Sequence, residues 1–232
     1  MLEVKNLTKK YGDYVVLNNI NLKFNTNEII GFLAPNGEGK TTFMKILGGL
    51  ITKYSGEVLL NGEKINYKSR NKIAYMTDRN IIPESWSIEE ALAYYNKYFK
   101  DYQREKTLDV LKRFRLNTFS KIGTLSLGNK EKVSLALTLG INAEVYMLDE
   151  PLASVDVLAR EDILKTIVTE FSENSTMLIS THLIQDIEKI FDRVILLDRG
   201  SIVENRLVDE IRESGKSVVD FYKAVYRYEN NI

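Results

Sequence analysis

The segment that most constrains this chain is residues 28–42, where a short apolar run passes directly into a glycine-rich loop and then a helix. Ile29-Ile30-Gly31-Phe32-Leu33 has no polar interruption, the pattern of a strand buried on both faces. Ala34-Pro35-Asn36-Gly37-Glu38-Gly39-Lys40-Thr41-Thr42 follows, and Thr41 to Leu50 reads as a helix ended by Gly48-Gly49. A loop between strand and helix aims several backbone N–H groups, and the positive end of the helix dipole, at one spot that suits a phosphate. Lys40 can reach the outer phosphates and the Thr41 hydroxyl can ligate Mg²⁺. The strict phosphate-loop pattern has glycine where this chain has Ala34; alanine is expected to be tolerated there unless the position needs a positive φ. Taken alone, the loop favours a phosphate only moderately over a glycine-rich turn with a solvated lysine. The strand before it and the helix after it favour the phosphate.

A strand buried on both faces needs cover on both, and the rest of the chain supplies it. Leu2 to Phe24 alternates, with Leu2, Val4, Val15, Leu17, Ile20, Leu22 and Phe24 apolar about a turn at Gly12-Asp13, as half-buried antiparallel strands do. Gly56 to Leu60 begins another strand, and Asn61-Gly62 is a hairpin turn. From Pro83 to Ile122 there is no strand signal. Ser87-Ile88-Glu89-Glu90 forms a capping box, Ile88, Leu92, Tyr95 and Phe99 follow at helical spacing, and Leu108, Leu111 and Phe114 mark a second helix. Beyond it, strands at 145–148, 177–179 and 194–197 alternate with helices striped by Ile163, Ile167 and Phe171 and by Ile184, Ile187 and Ile190. Asp198-Arg199-Gly200 then turns the chain into Ile202-Val203. That alternation predicts an α/β fold with a parallel sheet covered by helices. The tail from Ser217 sets Val218, Tyr222 and Val225 on one helical face.

Val145 to Leu148 delivers Asp149-Glu150 to the end of a buried strand. Beside a phosphate loop, Asp149 can hold Mg²⁺ through water while Glu150 orients and polarises the attacking water. A solvated acidic turn after a strand is the plainer reading of the same pair.

Leu125-Ser126-Leu127-Gly128-Asn129 resembles the LSGGQ signature of ABC transporter ATP-binding subunits, and an amphipathic helix is expected after it, as in that family. The resemblance covers nearly the whole chain. It implies a P-loop NTPase (RecA-like) core with a mixed sheet, an N-terminal antiparallel β subdomain and an inserted α-helical subdomain. The corresponding division of a single ATPase domain, 1–232, is a core of 1–82 and 123–210, a helical subdomain of 83–122 and a tail of 211–232. ATP is the implied substrate, with Mg²⁺. Asn36, Gly37, Glu38, Gly39, Lys40, Thr41 and Thr42 would cradle its phosphates, and Tyr11 matches the aromatic residue that stacks on adenine, although it is one of thirteen tyrosines. In the family the signature caps nucleotide held by a second subunit, so Ser126 and the Gly128 amide would meet the γ-phosphate there. By itself the pentad reads as an ordinary helix N-cap at Ser126. Asp78 stands where the family has the Q-loop glutamine; it could face Mg²⁺ with Thr41 and Asp149, but when ionised it cannot donate a hydrogen bond. Ser154-Val155-Asp156 matches the D-loop that links the two sites of a dimer. His182 matches the switch histidine, completing a catalytic set with Lys40 and Glu150.

The departures from the family pattern are Ala34, Asp78, Leu127 and Asn129. Leu-Ser-Leu-Gly resembles the variant of bacterial drug and antimicrobial-peptide exporters, in which the ATPase pairs with a separate membrane protein. The implied partners are a second ATPase chain, itself or a sister, docked head-to-tail, and a membrane-spanning permease. The permease would insert a coupling helix into a groove near Asp78 to Trp86. The nearby aromatics Tyr94, Tyr95, Tyr98, Phe99 and Tyr102 suit either that contact or packing within the helical segment.

Composition narrows the alternatives. Thirty-two basic residues balance thirty-two acidic ones, which argues against general nucleic-acid binding. There is no cysteine and one histidine, so thiolate and multi-histidine metal chemistry are excluded. No apolar run approaches the roughly 20 residues that span a bilayer. No secretion leader precedes Leu2-Glu3-Val4, and a cytoplasmic protein held on the inner membrane face by its permease is expected. The alternatives are an ABC ATPase acting on the ribosome or DNA, and a nucleotide-binding module with weak ATPase activity. A small phosphate-loop kinase would leave Ser126 to Asn129, Ser154 to Asp156 and His182 without a role.

Overall fold

A computed structural model describes residues 1–66, 69–79 and 81–229. In chain order, the first part holds β1 (Leu2–Tyr11), β2 (Tyr14–Phe24), β3 (Glu28–Leu33), α1 (Lys40–Leu47), β4 (Ser55–Leu60), β5 (Glu63–Lys64) and β6 (Ile73–Met76). The middle is α2 (Ile88–Tyr98), α3 (Arg104–Arg113) and α4 (Leu127–Leu139). The last part runs β7 (Val145–Asp149), α5 (Val157–Glu170), β8 (Thr176–Ser180), α6 (Ile184–Ile187), β9 (Arg193–Asp198), β10 (Ser201–Leu207), α7 (Val208–Glu213) and α8 (Val218–Glu229).

β2-β1-β4-β5 form an antiparallel sheet and β10-β9-β3-β8-β7-β6 a mixed one, whose only antiparallel pair among the described residues is β9 with β10. The apolar run 29–33, in β3, is therefore a central strand. Ile30 and Phe32 point into a core shared with the antiparallel sheet and α1, where Phe32 and Phe43 stack at 4.7 Å. Ile29 and Leu33 point into a second core, roofed by the helices. β7 and β8 are divided in the same way, which is why none of the three strands alternates in polarity.

α4 departs from the amphipathic expectation. Its second half, Val133 and Leu135 to Leu139, is buried all round, because α2, α3 and α5 pack on it while its underside rests on β6 and β7. The helix striped by Ile184, Ile187 and Ile190 is also shorter than its pattern: α6 gives way to a 3₁₀ turn at Glu188–Ile190. Ser87 and Glu90 make the capping box reciprocally at the start of α2, as read from sequence.

One ion-pair cluster ties α3 to α5. Glu170, its side chain only 12% exposed, accepts from Arg113 and lies 3.5 Å from Lys106, whose ammonium also donates to the Glu170 carbonyl at 3.0 Å. Glu170→Ala removes the shared anion and leaves two cations facing each other. It is expected to lower stability by about 1–2 kcal/mol, between the values for exposed and buried pairs. Thermal unfolding should register this as a fall in Tm of roughly 2–8 °C.

Candidate nucleotide site

Register gathers the site. Ser180 at the end of β8 pairs with Phe32 of β3 on one side and Asp149 of β7 on the other, and Met76 of β6 pairs with Leu148. Four parallel strands thus release the 34–42 loop, Asp78, Asp149-Glu150 and His182 at one sheet edge, the carboxyl edge where open α/β sheets bind ligands. A cavity of about 390 Å³ there is lined by Asn36, Gly37, Gly39, Lys40, Thr41, Thr42, Asp78 and Glu150, with Val16 of β2 closing one wall.

The loop is built by left-handed glycines. Gly37 and Gly39 have φ of 90° and 101°, whereas Ala34 does not have a positive φ, so the alanine costs no backbone strain. Lys40 is buried and donates to the carbonyls of Ala34 at 2.8 Å and Pro35 at 3.2 Å. Burial pushes its pKa down, against the opposing pull of the Glu150, Asp149 and Glu38 carboxylates. Among the described residues no carboxylate is in salt-bridge contact with this cation, and a triphosphate is a suitable partner.

Asp149 lies beneath the cavity, 1% exposed. One carboxylate oxygen accepts from the Ser180 hydroxyl and the other from the Tyr75 hydroxyl at 3.1 Å. Burial and the adjacent Asp149 charge push the Tyr75 phenol far above its ordinary range, so it stays protonated as a donor. Glu150 has φ 55°, a left-handed conformation that costs a non-glycine residue about 1–3 kcal/mol. Pro151 restricts right-handed helical geometry at this position, and the Glu150 N–H donates to the Ser180 carbonyl at 3.0 Å. Glu150 Oε2 accepts from the His182 backbone N–H at 3.2 Å and lies 2.8 Å from His182 Nδ1. The carboxylate can only accept there, so Nδ1 carries the proton.

Tyr11, Glu38, Ser126 and Gly128 lie apart from the cavity lining. Tyr11 is 52% exposed, with the Lys9 ammonium 4.4 Å from its ring centroid. Glu38 shares the loop, but its carboxylate accepts from the Arg199 N–H at 2.7 Å rather than lining the cavity. Asp78 does line it, 4.0 Å from Lys45. Ser126 and Gly128 stand at the start of α4. Ser126 Oγ caps that helix by accepting from the Asn129 N–H at 3.3 Å, so the plain capping reading of the pentad also holds. Gly128 abuts the D-loop: a Cβ there would come within 2.9 Å of the Ser154 carbonyl. Both Glu131 carboxylate oxygens accept from the Ser154 N–H at 3.1 Å, and Asp156 caps α5.

Sequence reading did not find Val16, Tyr75, Ser180 or Glu131. Val16 and Tyr75 sit in ordinary strand patterns, Ser180 ends an apolar strand, and Glu131 looks like a solvated helix residue. Only register and packing bring them to the site.

The residues fit a divalent cation. Among the described residues no group of three or more His, Cys, Asp or Glu side chains could hold a metal alone. Thr41 and Asp78 at the cavity, and Asp149 below it, offer hard oxygen donors to an ion whose other ligands are phosphate oxygens and water.

The uncharacterized ABC transporter ATP-binding protein MJ1023 of Methanocaldococcus jannaschii is 32% identical, over 90% of this chain and 79% of its own. The lantibiotic transport ATP-binding protein SrtF of Streptococcus pyogenes is 29% identical over 90% and 92%. A solved structure of an ATP-binding subunit of an ABC transporter superposes with TM-score 0.87 at 26% identity, covering 97% of this chain and 99% of that one. The family described as ABC transporter matches residues 17–153, which run from within β2 through the phosphate loop and the 125–129 segment to the residue before Ser154, and the chain belongs to that family.

Proposed function

We propose that this chain is the ATP-hydrolysing subunit of an exporter, working as a head-to-tail dimer with itself or a sister chain beneath a separate membrane-spanning subunit. One observation carries the dimer: the cavity contains Lys40, Thr41 and Glu150, while Ser126 and Gly128 are not among the residues lining it. Each chain holds half of two different sites. ATP seated on one phosphate loop is closed by the signature of the other chain.

Within the site Lys40 and the loop N–H groups bind the β- and γ-phosphates, and the helix dipole of α1 favours their charge. Thr41, Asp78 and Asp149 would hold Mg²⁺, which when bound neutralises charge on the β- and γ-oxygens. Glu150 accepts a proton from the attacking water, and His182, bonded to it, fixes the direction of its carboxylate. Hydrolysis removes the contacts that held the second chain closed, so ATP and ADP favour different states. The core of 1–82 and 123–210 carries the nucleotide and the 125–129 signature, and 83–122 carries the permease contact.

The aromatic cluster divides in a way that suits a membrane partner. Tyr95 stacks on Phe99 at 4.8 Å and meets Tyr102 at 5.6 Å; all three pack against the helical core, and Tyr95 and Phe99 also form part of the groove wall. Tyr94 and Tyr98 are 43% and 58% exposed and, with Trp86, Ile81 and Pro83, border a groove of about 490 Å³. Position 80 of the expected docking stretch lies outside the described residues. An apolar coupling helix suits that groove, and with it a place on the cytoplasmic membrane face; no described helix is long and apolar enough to cross a membrane. The Leu-Ser-Leu-Gly signature and the lantibiotic-transport relative support a drug or antimicrobial peptide as cargo.

Dilution tests the incomplete site. ATPase rate per chain should fall steeply as the protein is diluted to monomer and recover on concentration. A brisk rate independent of dilution would end the two-chain reading. Tyr75→Phe tests the cation assignment: half-maximal hydrolysis should need about 3–10 times more Mg²⁺, the scale of one lost hydrogen bond. ATP binding in EDTA should be unchanged, which a general loss of folding would not allow.

A further inference from the structure

Glu38 sets a negative charge inside a loop built to receive anions, and nothing in the chemistry of phosphate binding calls for it. Its neighbours explain how the charge is managed. Gly37 and Gly39, with φ of 90° and 101°, hinge the loop on either side of it. A residue between two such hinges has little local restraint. The carboxylate provides restraint from outside, accepting the Arg199 N–H at 2.7 Å across the β9–β10 turn.

That turn is itself fixed. Arg199 and Gly200 both adopt left-handed conformations, with φ of 44° and 75°, and the Gly200 carbonyl accepts from the Asn18 N–H of β2 at 2.8 Å. Space between these segments is filled. A Cβ on Gly200 would come within 2.6 Å of the Val16 carbonyl, and one on Gly39 within 3.0 Å of the Val16 side chain. The loop, the turn and the cavity wall formed by Val16 are thus one packed unit, and Glu38 is its polar fastening.

We propose that Glu38 is a positioning residue for the triphosphate: its bond to the Arg199 N–H locks the phosphate loop against the β9–β10 turn and β2, preforming the cradle and turning the negative charge away from it. The inference rests on the ATP-binding reading above. Preforming the loop lowers the ordering cost of binding, so its loss should appear in affinity rather than in the chemical step.

The test compares E38A, which loses the acceptor, with E38Q, whose amide oxygen keeps it. ATP and ADP titrations, steady-state kinetics and Arg199 amide exchange are measured on the full chain. For E38A, Kd and KM for ATP should rise about 3–10-fold, a modest value for a charged hydrogen bond because the carboxylate is only half-buried. Its kcat should stay within about twofold, and its Arg199 amide should exchange faster. E38Q should restore Arg199 protection and bind ATP at least as tightly as the parent. Parental affinity in E38A, equal impairment of both variants, or tighter binding by both would overturn the proposal. If the parent chain binds no nucleotide, the functional reading falls, and Arg199 exchange still decides the fastening: equal protection in parent and E38A refutes it.

Discussion

Glu150→Gln is expected to slow ATP turnover by roughly 10²–10⁴-fold while ATP still binds, the scale of a lost general base. The geometry gives the reason. Glu150 is held in a left-handed conformation (φ 55°) by bonds from its own N–H to the end of β8, and its carboxylate is aimed by both the backbone and the ring of His182. Gln keeps the size and can still accept from His182, but an amide oxygen cannot take a proton from water at neutral pH. Strain at that residue persists in the variant, so stability should change little. A single-turnover assay with ATP and Mg²⁺ reads the chemical step directly. Turnover within tenfold of the parent would remove Glu150 from the role of base.

Lys40→Ala should act earlier, at binding. The Lys40 ammonium is buried, bonded among the described residues to the Ala34 and Pro35 carbonyls, and disfavoured in its charged form by that burial. A triphosphate supplies the anion it lacks. Losing a charge-assisted contact of this kind should weaken ATP affinity by about 10–150-fold. Two carbonyls would also lose their donor, which adds disorder to the loop. Equilibrium titration with ATP measures the effect, and an unchanged affinity would contradict the phosphate-loop assignment.

Strong local patterns made much of this legible before any coordinates. The uninterrupted run 29–33, the glycines at 37 and 39, the capping box at Ser87 and the strand carrying Asp149-Glu150 each state their local structure in adjacent residues. What stayed hidden was set at long range. Tyr75 and Asp149 are 74 positions apart, and only the pairing of β6 with β7 brings the phenol to the carboxylate. The all-round burial of the second half of α4 follows from three helices and a sheet enclosing it, so its sequence shows no clean stripe. Glu38 reads as one more member of the phosphate loop until the β9–β10 turn is seen to claim its side chain. The left-handed backbone at Glu150 had no signature in the sequence, because a following proline favours extended geometry rather than a positive φ.

The contact between Gly128 and the Ser154 carbonyl has a genetic corollary. A methyl group at position 128 would crowd the Ser154 carbonyl and shift the D-loop and signature segments together, and both belong to the proposed seam between chains. The harm would therefore fall on the neighbour's bound nucleotide as well as on the altered molecule. In cells making both sequences, impaired chains would assemble with healthy ones and disable them, so such an allele should behave as dominant rather than silent.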